Sequence, residues 1–499
     1  LRGKLRWAFA GGRSSLLTVM YADADSGYDA FALDNGATTF SDEPGEDSQE
    51  TTAASLRIKG EAGNGLQLLS ISSVANSDIV FAYDGDWENE LSFLPIVTDY
   101  RYRNPRERDS ISQEVRLQSL PAARLFGATT DWVLGAFWRR LDEDNRIDST
   151  GEYIETEVRC DPVVSITDRQ ITSTFSADTL ALFGGLDSQL SAKTDVSFGL
   201  RIDRWDAEYA DNWIDNGVIG GPVTASNFFD PDDTLLGGHV ALGHDLNEEL
   251  RLYARIARGF KAAGFNPSLA ALGALPGALG PEFIPYTNEY LWNYEAGLKF
   301  LSATGSLAVD ISAYFMDRDD AQLSQSSQVD PIDPNSFFFV TSNGDADVIG
   351  LDASFAWQVN DPIRIHGSLG LLNSEIDDWS IRPAVTGRDL AHAPSYTVRL
   401  GVDWDLPAGW FVRADATASD SFYFDISHDN KSQRYELVNV SAGREFGSWA
   451  VALWGRNIFD EDYKTRGFFF GNEPPLFNPT LYTRFGAPRQ VGITLQYEY

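Results

Sequence analysis

The sequence predicts an all-β chain closed into one large antiparallel transmembrane β-barrel, and three observations carry the prediction. Apolar and polar residues alternate with period two in segments of about ten residues from end to end, the repeat of a strand with two unlike faces. Connections between segments are short and long in turn, as in barrels with short periplasmic turns and long extracellular loops. No run of about 18 apolar residues exists, so helices cannot make the crossing.

The elements follow in order. Residues 3–9 form a first strand that runs into a short turn. Val196, Phe198, Leu200 and Ile202 alternate with Ser197, Gly199, Arg201 and Asp203, and Val398, Leu400, Val402 and Trp404 with Thr397, Arg399, Gly401 and Asp403. The last segment sets Val491, Ile493, Leu495, Tyr497 and Tyr499 against Gln490, Gly492, Thr494, Gln496 and Glu498. Short connections are expected at residues 10–13, 60–65, 184–189, 247–249, 302–305, 360–362, 407–409 and 447–448. Long ones are expected at 23–50, 85–109, 146–168, 209–233, 259–287, 324–336, 377–393, 425–431 and 461–486. All 21 prolines are placed in connections or at strand edges, because proline cannot donate to a ladder. About nineteen strands result, with more apolar surface than one soluble sheet can cover; closure turns that surface to lipid and the charged faces to the lumen. Trp7, Trp132, Trp138, Trp404, Tyr497 and Tyr499, near segment ends, suit interfacial girdles.

Composition narrows the function. The 499 residues carry 73 acids against 39 Lys and Arg, a net charge of −34 that argues against nucleic acid as a partner. With 43% hydrophobic and 22% charged residues the chain is not disordered. One cysteine, Cys160, excludes an internal disulfide framework, and five His without a second Cys leave no zinc spacing. No bound metal or other cofactor is expected, and no catalytic constellation is found: there is no Gly-x-Ser-x-Gly, His-Glu-x-x-His or phosphate loop. No linker divides the chain, so residues 1–499 are expected to form one domain.

Several segments, in this order, resemble the TonB-dependent outer-membrane receptor family. They are Tyr253 to Asn266 with Arg258-Gly259-Phe260-Lys261 and Gly264-Phe265-Asn266; Glu289 to Lys299 with Tyr294-Glu295 and Gly297; Asn343-Gly344 ahead of Gly350 and Asp352; and Asn457-Ile458-Phe459-Asp460 followed by Tyr463 and Pro488-Arg489. Gly259 and Gly264 are read as places where φ freedom is useful. Asn457 and Asp460 are read as an Asx-type turn at a strand exit, and Glu295 and Lys299 as lumen-facing residues that meet other wall residues. Gln490, Gly492, Leu495, Tyr497 and Tyr499 resemble the outer-membrane assembly signal read by the barrel-assembly machinery. The resemblance implies a transporter in the cell outer membrane, embedded in its lipid, that is not an enzyme. It would import a scarce nutrient, such as a ferric siderophore, with the TonB complex pulling on a plug inside the lumen. A passive porin-like channel, or a receptor for a carbohydrate or cobalamin, is the alternative.

The family's plug and TonB box are not found, and Leu1-Arg2-Gly3-Lys4-Leu5 shows no targeting segment. Bacterial barrels have even strand numbers, so the odd count leads to the expectation that about three strands of about 22, and about 150 residues of plug, precede Leu1.

For the ligand, the last long loop carries Arg466, Phe468, Phe469, Phe470, Phe477, Tyr482 and Arg484. This cluster could grip an aromatic or anionic chelate, or its rings could pack the loop on itself. Residues 23–50 hold nine acids and no Lys or Arg. They read as a solvated loop bridged by divalent ions, with a discrete calcium site at Asp25, Asp29 and Asp34 the lesser reading. The apolar stretch 268–280 is expected to fold against the mouth. His428 reads as a solvated loop histidine, with ligand contact as the alternative, and His366 and Asp403 as lumen residues paired to other charges. Cys160 would be an unpaired thiol in an oxidising compartment, its partner lying before Leu1.

Overall fold

The computed structural model describes residues 1–27, 31–155, 163–274, 280–328 and 337–498. Asp29, Cys160 and Tyr499 lie outside the described residues, as does part of the apolar stretch 268–280. Among the described residues one antiparallel sheet holds 20 strands, bonded in chain order except at Val223–Phe229 and Asp232–Asp245, which are not bonded to each other. The sheet starts with Arg2–Phe9 against Arg13–Ser26 and ends with Trp449–Arg456 against Gln490–Tyr497. Val223–Phe229 and Asp232–Asp245 pair end to end with the same neighbour, Thr194–Asp215, so these strands fill nineteen positions in the wall. At the short turns, neighbours in sequence pair because the connection cannot reach past the adjacent strand. Between Glu46–Gly63 and Leu66–Asp84, for example, Asn64 (φ 50°) and Gly65 (φ 74°) make the turn. Positive φ at both positions matches the right-handed twist of a hairpin.

Along Thr194–Asp215 the fold explains the alternation. Phe198, Leu200 and Ile202 point outward, and Arg201 and Asp203 point inward, joined by two 2.7 Å hydrogen bonds. Beyond Asp203 the same two faces continue with exchanged chemistry. Arg204, Asp206 and Glu208 now lie outward, while Trp205, Ala207, Tyr209 and Trp213 are buried inside. The exchange marks where the strand leaves lipid: the outer face then needs charge, and the inner face packs against loops. Lower in the wall the lumen is polar. Tyr253 donates to Glu295 at 2.7 Å, Lys299 lies 3.2 Å from Asp310, and Asp403 stands between His366 (3.6 Å) and Arg413 (3.1 Å).

This exchange also corrects several expected boundaries. Residues 96–109 are not loop but the start of Ile96–Ser119, and Thr130–Glu155 and Val163–Ser191 likewise run far beyond the lipid band. The expected turn at 184–189 lies inside Val163–Ser191; the chain turns at 192–193. Pro105 sits within a strand, where the ladder to the next strand skips from Arg103 to Arg106, so its missing N–H breaks no bond there. Gly259 is ordinary strand, whereas a side chain on Gly264 would collide with the Tyr286 ring, so close approach is what requires glycine there.

Candidate functional site

The outer end is closed by loops that pack on one another, and the last of them is the hub. Lys464–Phe470 and Thr480–Phe485 form a hairpin in which Arg466 faces Arg484, Phe468 faces Tyr482 and Phe469 faces Leu481. Cross-strand partners share a face, so Arg466, Phe468, Phe470, Tyr482 and Arg484 lie on one side and Phe469 on the other. Phe468, Phe470 and Tyr482 are buried in a cluster with Phe31, flanked by Leu33 and Trp87. Phe31 is 5.1 Å from Phe468, and Trp87 stands edge-on to Phe470 at 5.3 Å and to Tyr482 at 5.2 Å. Phe339, from another part of the wall, meets Phe468 at 5.6 Å. Asn35 binds the hairpin from both ends of its amide, donating to the Leu481 carbonyl at 3.0 Å and accepting from the Thr483 N–H at 2.6 Å. Phe477 is buried and lies 5.9 Å from Tyr153.

Other loops fill the remainder of the mouth. Leu269 packs with Tyr209, Ile284 and Val340, and Ala270 with Ile147, Ile171 and Trp213, so the described part of the apolar stretch is wedged inside the outer wall. Trp379 centres a cluster with Leu323, Ile376 and Ile426 and donates to Ser342 at 2.9 Å. The Arg388 guanidinium lies 3.9 Å from the Tyr423 ring and donates to the carbonyls of Asp425 (2.9 Å) and Ile426 (3.1 Å); burial holds it below the usual guanidinium range.

The predicted ligand residues therefore separate. Phe468, Phe470, Phe477 and Tyr482 are core of the loop assembly, while Arg466, Phe469 and Arg484 are exposed. Arg466 lies 5.1 Å from the Phe468 ring, and among the described residues neither Arg466 nor Arg484 has a carboxylate in ion-pair range. Burial, and then the Arg466 charge, hold His392 below the ordinary histidine range. His428 is buried rather than solvated: its Nδ1 accepts from the Asn430 N–H at 3.2 Å, and its ring lies 5.6 Å from Phe469. His392 and Tyr423 were missed in the sequence because a loop histidine or tyrosine carries no periodic signal. Asp34 accepts from the Gly36 N–H in a local turn, and no group of three or more His, Cys, Asp or Glu side chains placed to hold a metal occurs among the described residues.

The Asn457 and Asp460 turn is structural, as its residue types suggest. Asn457 (φ 46°) is buried. It accepts from the Glu461 N–H at 2.9 Å and donates to the carbonyls of Glu461 (2.9 Å) and Ala487 (3.2 Å), while Asp460 accepts from the Arg489 N–H at 2.9 Å. Asn457→Ala is expected to cost about 1–3 kcal/mol, since it strands buried backbone groups and strains a left-handed residue. Chemical unfolding in detergent would read this as a lowered midpoint; an unchanged midpoint would refute the role.

A lipid-facing apolar wall, a charged lumen and a closed mouth of aromatic and basic loops define a receptor-type barrel of the outer membrane. The chain belongs to the family described as TonB dependent receptor-like, beta-barrel, whose model matches residues 5–458. Among curated relatives, the pesticin receptor of Yersinia pestis is 23% identical over 401 residues, covering 79% of this chain and 52% of the receptor. The metal-pseudopaline receptor of Pseudomonas aeruginosa is 22% identical over 474 residues, 91% of this chain and 60% of that receptor. The chain thus spans only 52–60% of the length of these relatives. Among solved structures, the ferric yersiniabactin uptake receptor of Yersinia pestis superposes with a TM-score of 0.77 at 19% identity, over 100% of this chain and 70% of that one. The siderophore receptor PiuA of Acinetobacter baumannii gives 0.67 at 13% identity, over 100% and 74%.

Proposed function

We propose that this barrel captures an anionic, aromatic metal chelate of the ferric siderophore class on its outer loops, for import energised by the TonB complex acting through a plug. The observation that carries the reading is the facing pair Arg466 and Arg484, exposed and, among the described residues, without carboxylate partners in a chain of net charge −34. In so acidic a protein, arginines left unpaired at the mouth form a local attractor for an anion. Phe469, exposed on the opposite side of the same hairpin, offers a second surface at the mouth on which an aromatic group can stack. Proteins similar to this chain include receptors for ferric yersiniabactin and metal-pseudopaline, chelates of the same class. The reading gives Gln490, Gly492, Leu495 and Tyr497, on the last strand, the role of signal to the barrel-assembly machinery.

The test is binding of anionic ferric chelates to the full-length gene product, followed by tryptophan fluorescence. Arg466→Ala combined with Arg484→Ala is expected to weaken binding at least about tenfold, since hydrogen bonds to charged groups contribute about 1.5–3 kcal/mol each. The salt dependence of binding should fall in parallel. Affinity and salt dependence equal to the parent protein would overturn the assignment.

A further inference from the structure

Under the hub, where the turn after Leu66–Asp84, the strand Ile96–Ser119 and the last loop meet, four buried side-chain oxygens have no hydrogen-bond partner among the described residues. Asp84 and Asp86 are each 2% exposed. Asp84 Oδ1 accepts from the N–H groups of Asp86 (3.1 Å) and Trp87 (3.2 Å), and Asp86 Oδ1 accepts from that of Glu88 (3.3 Å). One oxygen of each carboxylate is thus turned to the backbone. The other, Oδ2 in both, is buried with no hydrogen-bond partner among the described residues. The same is true of Thr98 Oγ1 and Asn472 Oδ1, in residues 2% and 1% exposed. Asn472 is held against this turn by its own Nδ2, which donates to the Asp86 carbonyl at 2.9 Å across 386 residues of chain.

The arrangement lacks a counter-ion. The Asp84 and Thr98 side chains both act on the Asp86 carboxyl, which places the three side by side. Burial, Asp84 and Asp99 raise Asp42 above the usual carboxylate range, so the surroundings are negative as well. Among the described residues no Lys, Arg or His pairs with Asp84 or Asp86; nearby Arg101 is engaged by Glu43 at 2.5 Å and Asp99 at 3.5 Å. Two buried carboxylates without a cation repel each other in a medium that screens poorly. Carboxylate, hydroxyl and amide oxygens together are the donor set of a hard divalent ion, with no nitrogen or sulfur to favour a transition metal.

We propose that Asp84, Asp86, Thr98 and Asn472 form a calcium-class cation site that staples the early outer loops to the last hairpin. Calcium suits it better than magnesium because it accepts an irregular oxygen shell completed by water or carbonyls. Its position gives it a task. Trp87, next to Asp86, enters the aromatic cluster of Phe31, Phe470 and Tyr482, so filling the site orders the cap that frames Arg466 and Arg484.

The full chain purified in detergent, stripped of divalent ions, provides the test. Terbium should give luminescence sensitised by Trp87 and displaced by calcium, and calcium at ten times its Kd should slow proteolysis of the outer loops about tenfold. Asp86→Asn should lose both effects, and Asn472→Ala should weaken them, while Asp25→Asn with Asp34→Asn, which removes acids of the first outer hairpin only, should keep them. If calcium leaves the parent protein unprotected, or protects Asp86→Asn equally, the proposal fails. In the first case the carboxyl pair shares a proton instead.

Discussion

Tyr482→Ala is expected to destabilise the outer cap by about 3–5 kcal/mol, the cost of deleting a fully buried aromatic side chain and leaving its cavity. The residue is 0% exposed, touches Trp87 and Phe470 edge-on, and donates to Glu473 at 3.2 Å. Burial, with Glu473 beside it, holds its phenol above the ordinary tyrosine range, so it stays neutral wherever the barrel is handled. Tyr482→Phe keeps the ring and should cost only about 1 kcal/mol. Because the damage is confined to loops, hydrogen exchange is the appropriate readout. Amides of residues 31–35 and 464–485 should lose protection in Tyr482→Ala, whereas those of Thr194–Asp215 should not. Unchanged protection at residues 31–35 would show that the hairpin is not the hub.

Leu200→Arg is expected to cost about 2–4 kcal/mol, the range for a cation on the lipid face near the bilayer midplane. Leu200 lies on the outward face between Phe198 and Ile202, below the point where that face turns charged at Arg204. Glu208→Arg, on the same face but above that point, should cost no more than about 1 kcal/mol. Unfolding midpoints in lipid or detergent would separate the two. Equal costs would place the membrane boundary elsewhere on Thr194–Asp215.

Much of the wall was legible in the sequence because a strand writes its two faces into adjacent residues. Val196 to Asp203 needs no distant partner to show which residues are apolar, and the short turn at Asn64-Gly65 announces itself by residue type. Reading failed first where the chemistry of the faces exchanges. Residues 96–109 look irregular only to a reader who expects the apolar face to stay apolar. The turn placed at 184–189 was instead suggested by Gly184-Gly185 and Asp187-Ser188, although Leu182, Leu186 and Leu190 keep the outer face apolar through it. The candidate site was half legible. Aromatic and basic residues in residues 461–486 singled out a loop of the mouth, yet Phe468, Phe470 and Tyr482 proved to be its packing core, leaving Arg466, Phe469 and Arg484 exposed. His428 was read as solvated, because nothing near it in sequence reveals that Arg388 and Phe469 cover it.

The division follows from the range of the interactions. Period-two alternation, turn residues and net charge are properties of neighbours along the chain, and they suffice for an all-β membrane barrel with one apolar and one polar face. The cap depends on residues far apart: Asn35 bonds to the hairpin at Thr483 across 448 residues, and Asn472 reaches Asp86 across 386. Such pairs exist only after the wall curves round and brings early and late loops over one mouth. Burial inside that mouth is what separates packing aromatics from exposed ones and brings the Asp84 and Asp86 carboxyls together with no counterion among the described residues.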